Sequence, residues 1–69
     1  MSEHVYEHID VTGSSNVSAD DAVRTAINRT VQSIRGMKWF EVTDTRGQIS
    51  YDDVKYWQVT LRIGFTIED

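Results

Sequence analysis

The sequence contains no cysteine and no proline. Without thiols there is no disulfide to staple the chain, no thiolate nucleophile and no thiolate metal ligand. His4 and His8 are the only histidines, too few for a structural zinc site. They fall on the polar side of the first apolar segment and read as solvated surface residues. No apolar stretch approaches the roughly 20 residues that span a bilayer, so no membrane association is expected. The opening residues "MSEHVYEHID" have neither the basic start nor the apolar run of a secretory leader, and the expected compartment is the cytoplasm. Basic residues are also in the minority. Seven Lys and Arg against 11 Asp and Glu give a net charge of -4. That balance disfavours nucleic acid, whose ligands usually carry a basic patch.

What remains is 69 residues with no repeat, linker or low-complexity segment, expected to form one domain over 1–69. A scaffold of this size without staples needs very efficient packing or self-assembly. Residues 4–12, "HVYEHIDVT", alternate with period two and predict a strand ending near Gly13. Val5, Ile9 and Val11 share one face; Tyr6, His8, Asp10 and Thr12 share the other. "GSSNV" reads as a loop. "SADD" then places Asp21 three residues after Ser18, an acidic form of the capping box. Ala19, Ala22, Val23, Ala26, Ile27, Thr30, Val31 and Ile34 follow at helical spacing, and Gly36 is a natural stop. The expected helix has about 18 residues and a length of about 27 Å.

A second strand is expected over 38–46, a turn in "RGQISYDD", and a third strand over 54–68. In the third, Trp57, Val59, Leu61, Ile63, Phe65 and Ile67 form an apolar face. Tyr56, Gln58, Thr60, Arg62, Gly64 and Thr66 form the other. The fold class is α+β, in the order β-α-β-β, with a three-stranded antiparallel sheet packed on one helix. From Trp57 to Ile67 the apolar face extends about 33 Å, longer than the helix. The remainder, expected near Phe65 and Ile67, is either covered by another copy of the chain or left exposed, and an exposed apolar stripe normally marks an interface.

Trp39 breaks the pattern. In the second strand Phe40 and Val42 point one way, and Trp39, Glu41, Thr43 and Thr45 the other, towards the sheet face that no helix covers. Regular pairing puts Gln58 on that face as well. An indole offers a flat surface for stacking, and a side-chain amide can read an edge that both donates and accepts hydrogen bonds. The complementary ligand is a planar heterocycle with a polar edge: flavin, pterin or purine. Two copies facing each other across a two-fold axis would close an aromatic slot. On spacing alone an out-of-place tryptophan in a small β domain is more often an anchor of an oligomer interface or a core residue than a stacking platform. Arg46, before Gly47, reads as a turn residue or as a contact to phosphate or carboxylate. The pair Asp52–Asp53 reads as a solvated turn. No nucleophile–base pair and no glycine-rich phosphate loop is present.

The strand and turn "IDVTGSS", the helix "DAVRTAI", the run "WFEVTDTRGQI" and the strand "YWQVTLRIGF" together resemble the dodecins, small flavin-binding proteins of bacteria and archaea. The likeness covers nearly the whole chain. It implies a hollow spherical homododecamer that binds flavin (FMN, riboflavin or FAD) in pairs between subunits related by two-fold axes. The isoalloxazine rings stack between symmetry-related tryptophans, for which the matching residue is Trp39. Gln58 matches the glutamine that hydrogen-bonds the polar edge of the ring, and Arg46 the arginine near the ribityl or phosphate end. The implied role is storage and sequestration with quenching of the excited flavin, and no enzymatic turnover. Some relatives also bind coenzyme A.

Overall fold

In the computed structural model, residues 5–67 are described. They form β1 (Tyr6–Ser15), α1 (Ala19–Thr30), β2 (Met37–Ser50) and β3 (Asp53–Thr66). The sheet is antiparallel throughout, in the order β1-β3-β2, so β3 is central. The expected β-α-β-β fold is what forms. His4 and Glu68, the ends of the sequence-based strands, lie outside the described residues.

β3 pairs with both neighbours along almost its whole length. Its odd-numbered residues face α1. Val59, Leu61 and Ile63 are buried there with Ala22 and Ala26 of the helix. Ile9, Val11, Ala19, Val23, Ile27 and Met37 pack around this cluster. The helix contributes alanines because it sits close to the sheet. Gly13 of β1 lies directly beneath it, and a Cβ there would stand 2.5 Å from the Ala22 carbonyl oxygen and 2.9 Å from Ala26 Cβ.

The helix is shorter than its apolar spacing predicts. Its start is as expected: Ser18 Oγ accepts from the Asp21 amide at 2.9 Å. The reciprocal half of the capping box does not form. The Asp21 carboxylate instead accepts from Ser15 Oγ at 2.7 Å, and Ser15 Oγ accepts from the Ser18 amide at 3.3 Å. Aspartate is one methylene shorter than the glutamate usual at this position, and Ser15 bridges the gap. At the other end, Thr30 Oγ1 donates to the Ala26 carbonyl at 2.7 Å. Two β-branched residues follow one another at 30–31, where helical propensity is low. The amides of Gln32 and Ser33 then bond three residues back, to Arg29 and Thr30, in a tightened last turn. Gly36, with φ of 76°, shapes the approach to β2 rather than stopping the helix directly.

β2 is longer than expected. The "RGQIS" segment belongs to the strand, and the turn is only Tyr51–Asp52, between the paired residues Ser50 and Asp53. Both turn residues have positive φ, 53° and 65°, the geometry that matches strand twist in a two-residue hairpin.

These lengths set the shape. The molecule measures 57 × 21 × 13 Å with a radius of gyration of 14.6 Å, against about 11 Å for a compact chain of this size. α1 packs chiefly on β1 and β3, and the hairpin arm extends beyond it. The uncovered apolar surface is therefore not centred on Phe65 and Ile67. Phe65 is half-buried and Ile67 is exposed. The larger share lies on β2 and the hairpin arm, in the exposed residues Phe40, Val42, Ile49, Tyr51 and Val54.

Replacing Gly13 with alanine is expected to push α1 away from β1. A loss of about 1–3 kcal/mol is anticipated from overpacking of this kind, measured by urea unfolding of the variant against wild type.

Candidate functional site

The face of the sheet turned away from α1 has no cover from its own chain. Cross-strand partners share a face, so the even residues of β3 define its rows. His8, Gly64 and Trp39 form one row. Asp10, Arg62 and Glu41 form the next, followed by Thr12, Thr60 and Asp44, and then Ser14, Gln58 and Arg46. Trp39, Gln58 and Arg46 thus lie on one face, which regular pairing predicts for Trp39 and Gln58 only.

Trp39 lies flat because its partner is a glycine. A Cβ on Gly64 would overlap Cε2, Cζ2 and Nε1 of the indole, so the ring occupies the space that a side chain at 64 would fill. The backbone of Gly64 is buried under it, while Trp39 keeps 40% of its surface exposed. One ring face is fixed against the strand and the other is open. Glycine inside a regularly alternating strand is a mark of such close approach. Gly64 carried that signal in the sequence, where it was read only as a member of the polar face. His8, read there as a solvated surface residue, is exposed and stands in the same row, one strand beyond Gly64.

Arg46 reaches the open face through a bulge. Trp39 and Arg46 are seven positions apart, so strict alternation would place them on opposite faces. The register shifts between Val42 and Asp44, leaving Thr43 unpaired, with its Oγ1 donating to the Thr60 carbonyl at 3.3 Å. Beyond the bulge, Asp44 and Arg46 face outwards, while Thr45 pairs with Val59 on the helix side, contrary to the even alternation expected of it. Arg46 is a strand residue paired with Gln58 rather than a turn residue. Its Nε donates to Asp44 Oδ2 at 2.7 Å. That hydrogen bond, and then the carboxylate charge, raise the guanidinium further above its ordinary pKa.

The second cation of this face is Arg62, whose Nε stands 3.5 Å from Asp10 Oδ1. The pair lacks hydrogen-bond geometry and leaves Nε buried without an acceptor. Thr12 and Thr60 share a hydroxyl contact at 3.0 Å in the row below.

The structure does not bring all three expected residues to one spot. Arg46 and Gln58 are direct partners. Trp39 stands opposite Gly64, six residues further along β3, or about 20 Å. Beside Trp39, on the helix side of β2, Ile27, Met37, Phe40 and Ile63 line an apolar cleft of about 220 Å³. Among the described residues no cluster of three or more His, Asp or Glu side chains is arranged to hold a metal ion, and no helix is long and apolar enough to cross a membrane.

A Gly64→Ala substitution is expected to lift the indole off the sheet. In a Trp57→Phe background, the near-ultraviolet circular dichroism of Trp39 should weaken, while the far-ultraviolet spectrum keeps its strand and helix signals.

The family model described as Dodecin matches residues 5–68. A dodecin of Thermus thermophilus is 35% identical over 65 residues, which are 94% of this chain and 94% of that protein. Among solved structures, dodecin from Streptomyces coelicolor is 46% identical with a TM-score of 0.91, covering 100% of this chain and 99% of that one. Dodecin from Streptomyces davaonensis is 38% identical with a TM-score of 0.90, covering 99% and 100%. With a matching family model over nearly its whole length and the same fold in relatives of this similarity, the chain belongs to the dodecin family.

Proposed function

We propose that this protein binds and stores flavins in a closed homododecamer in the cytoplasm, holding the isoalloxazine ring against Trp39 and releasing it unchanged. The observation that carries this reading is the indole laid flat over Gly64, with one face open on a sheet surface that the chain itself leaves uncovered. A planar ring is the shape that complements such a platform.

The separation of about 20 Å between the Trp39 and Gln58 rows calls for two chains to complete the site. One ring cannot touch both residues of a single chain. Two copies laid face to face, antiparallel about a two-fold axis near the Thr60–Arg62 rows, bring Trp39 of one copy towards Gln58 and Arg46 of the other. Each pair of chains then holds two rings, each stacked on an indole and read at its polar edge by a glutamine amide. Arg46, beside Gln58, meets the ribityl or phosphate end. The exposed Phe40, Val42 and hairpin-arm residues supply apolar surface for the further contacts of the shell.

A stacked indole can donate an electron to the excited flavin. Recombination returns both partners to the ground state, so the bound flavin neither fluoresces nor sensitises oxygen. This requires no general acid, base or metal from the protein.

The test is a titration of riboflavin with apoprotein, followed by flavin fluorescence. Quenching that saturates near one flavin per chain is the expected result. Trp39→Ala should weaken affinity at least tenfold, about 1.4 kcal/mol, from lost stacking and an opened slot. Undiminished flavin fluorescence with wild type, together with weakened assembly of Trp39→Ala, would instead make Trp39 an anchor between subunits of a ligand-free assembly.

A further inference from the structure

We infer that Asp44 is a specificity-determining residue of this site: by occupying Arg46 it makes the open face select the flavin ring over a phosphate. The inference rests on the flavin reading above and deepens it.

Each arginine of the open face has a carboxylate beside it. Arg62 sits between Asp10 and Glu41, and Arg46 is held by Asp44 two positions before it on the same strand. Among the described residues of the face there is no cation without a carboxylate beside it. The 2.7 Å contact from Arg46 Nε to Asp44 Oδ2 is a charge-assisted hydrogen bond with short geometry. Asp44 and Arg46, two positions apart, share a face, and the bulge at Thr43 makes that face the open one.

A phosphate arriving at Arg46 meets this carboxylate first. It must displace Asp44 from the guanidinium or accept a second negative charge at its side. A neutral ribityl chain faces neither demand, because hydroxyls can donate to the carboxylate and accept from the remaining guanidinium N–H groups. Asp44 therefore lowers affinity for phosphorylated flavins relative to riboflavin, while the ring platform at Trp39 treats both alike. The pair is largely solvated, with side-chain exposures of 68% for Arg46 and 41% for Asp44, so the discrimination is modest.

The experiment compares riboflavin and FMN affinities by fluorescence quenching at fixed pH 8 and fixed salt. Four proteins are needed: wild type, Asp44→Asn, Arg46→Ala and the double variant. Asp44→Asn keeps the side-chain shape and removes the charge. It is expected to raise the FMN-to-riboflavin affinity ratio by about three- to fivefold, as for an exposed ion pair. In the Arg46→Ala background the same substitution should change the ratio less than twofold. An unchanged or lower ratio in Asp44→Asn overturns the inference, and a lower one would mean that Asp44 positions Arg46 for phosphate. A rise of equal size without Arg46 overturns it too, leaving simple repulsion by the carboxylate. Wild type that quenches neither flavin overturns both this inference and the flavin reading. Wild type that quenches both, with Asp44→Asn neutral, removes this inference alone.

Discussion

Everything in this fold depends on β3 being the central strand. It hydrogen-bonds on both sides, so its two faces are fixed in register by two neighbours. Odd positions receive the helix and form the core of Val59, Leu61 and Ile63. Even positions form the middle column of the open face, where Gly64, Arg62, Thr60 and Gln58 each sit between a residue of β1 and one of β2. Core and site are thus two sides of one ribbon. A slip of one residue in its pairing would exchange them.

The second constraint is the small size of what the helix covers. Twelve residues of α1 give about 18 Å, against about 46 Å for the 14 residues of β3. Among the described residues the buried core has five apolar side chains, two of them alanines, and they cannot by themselves hold so long a hairpin in place. The same shortage of cover that makes the single chain marginal leaves a whole sheet face accessible. In a larger domain a second helix would lie there and Trp39 would be a core residue.

Much of this was legible in the sequence, because it is carried by period-two alternation and by one capped helix. Val59, Leu61, Ile63, Ala22 and Ala26 can be read as core from spacing alone, and Trp39 can be read as misplaced by the same rule. What could not be read comes from departures from regularity. Thr30 and Val31 still fit the apolar spacing, and the helix ends there through two successive β-branched residues and the threonine hydroxyl bonded to the Ala26 carbonyl. "RGQIS" carries a glycine and polar residues, which argue for a turn; the pairing with β3 overrides them. The tight turn at Tyr51–Asp52 has none of the glycine or asparagine that normally announces it. The outward placement of Asp44 and Arg46 depends on a bulge that no residue type signals. Gly64 did carry a signal, since a glycine in a well-alternating strand asks what lies over it.

The bulge at Thr43 has a consequence for how this segment tolerates change. Substitutions along β2 alter one side chain at a time, and most positions on an exposed strand absorb them. Chain length there is a different kind of variable. The extra residue at Thr43 offsets the seven-position separation of Trp39 and Arg46, so a deletion that removes the bulge leaves them six apart and on one face by plain alternation. A deletion nearby that leaves the bulge in place turns them to opposite faces. The number of residues between the two, taken with the bulge, therefore shapes the open face as much as their identities do, and a comparison of relatives at this strand should track gaps before it tracks substitutions.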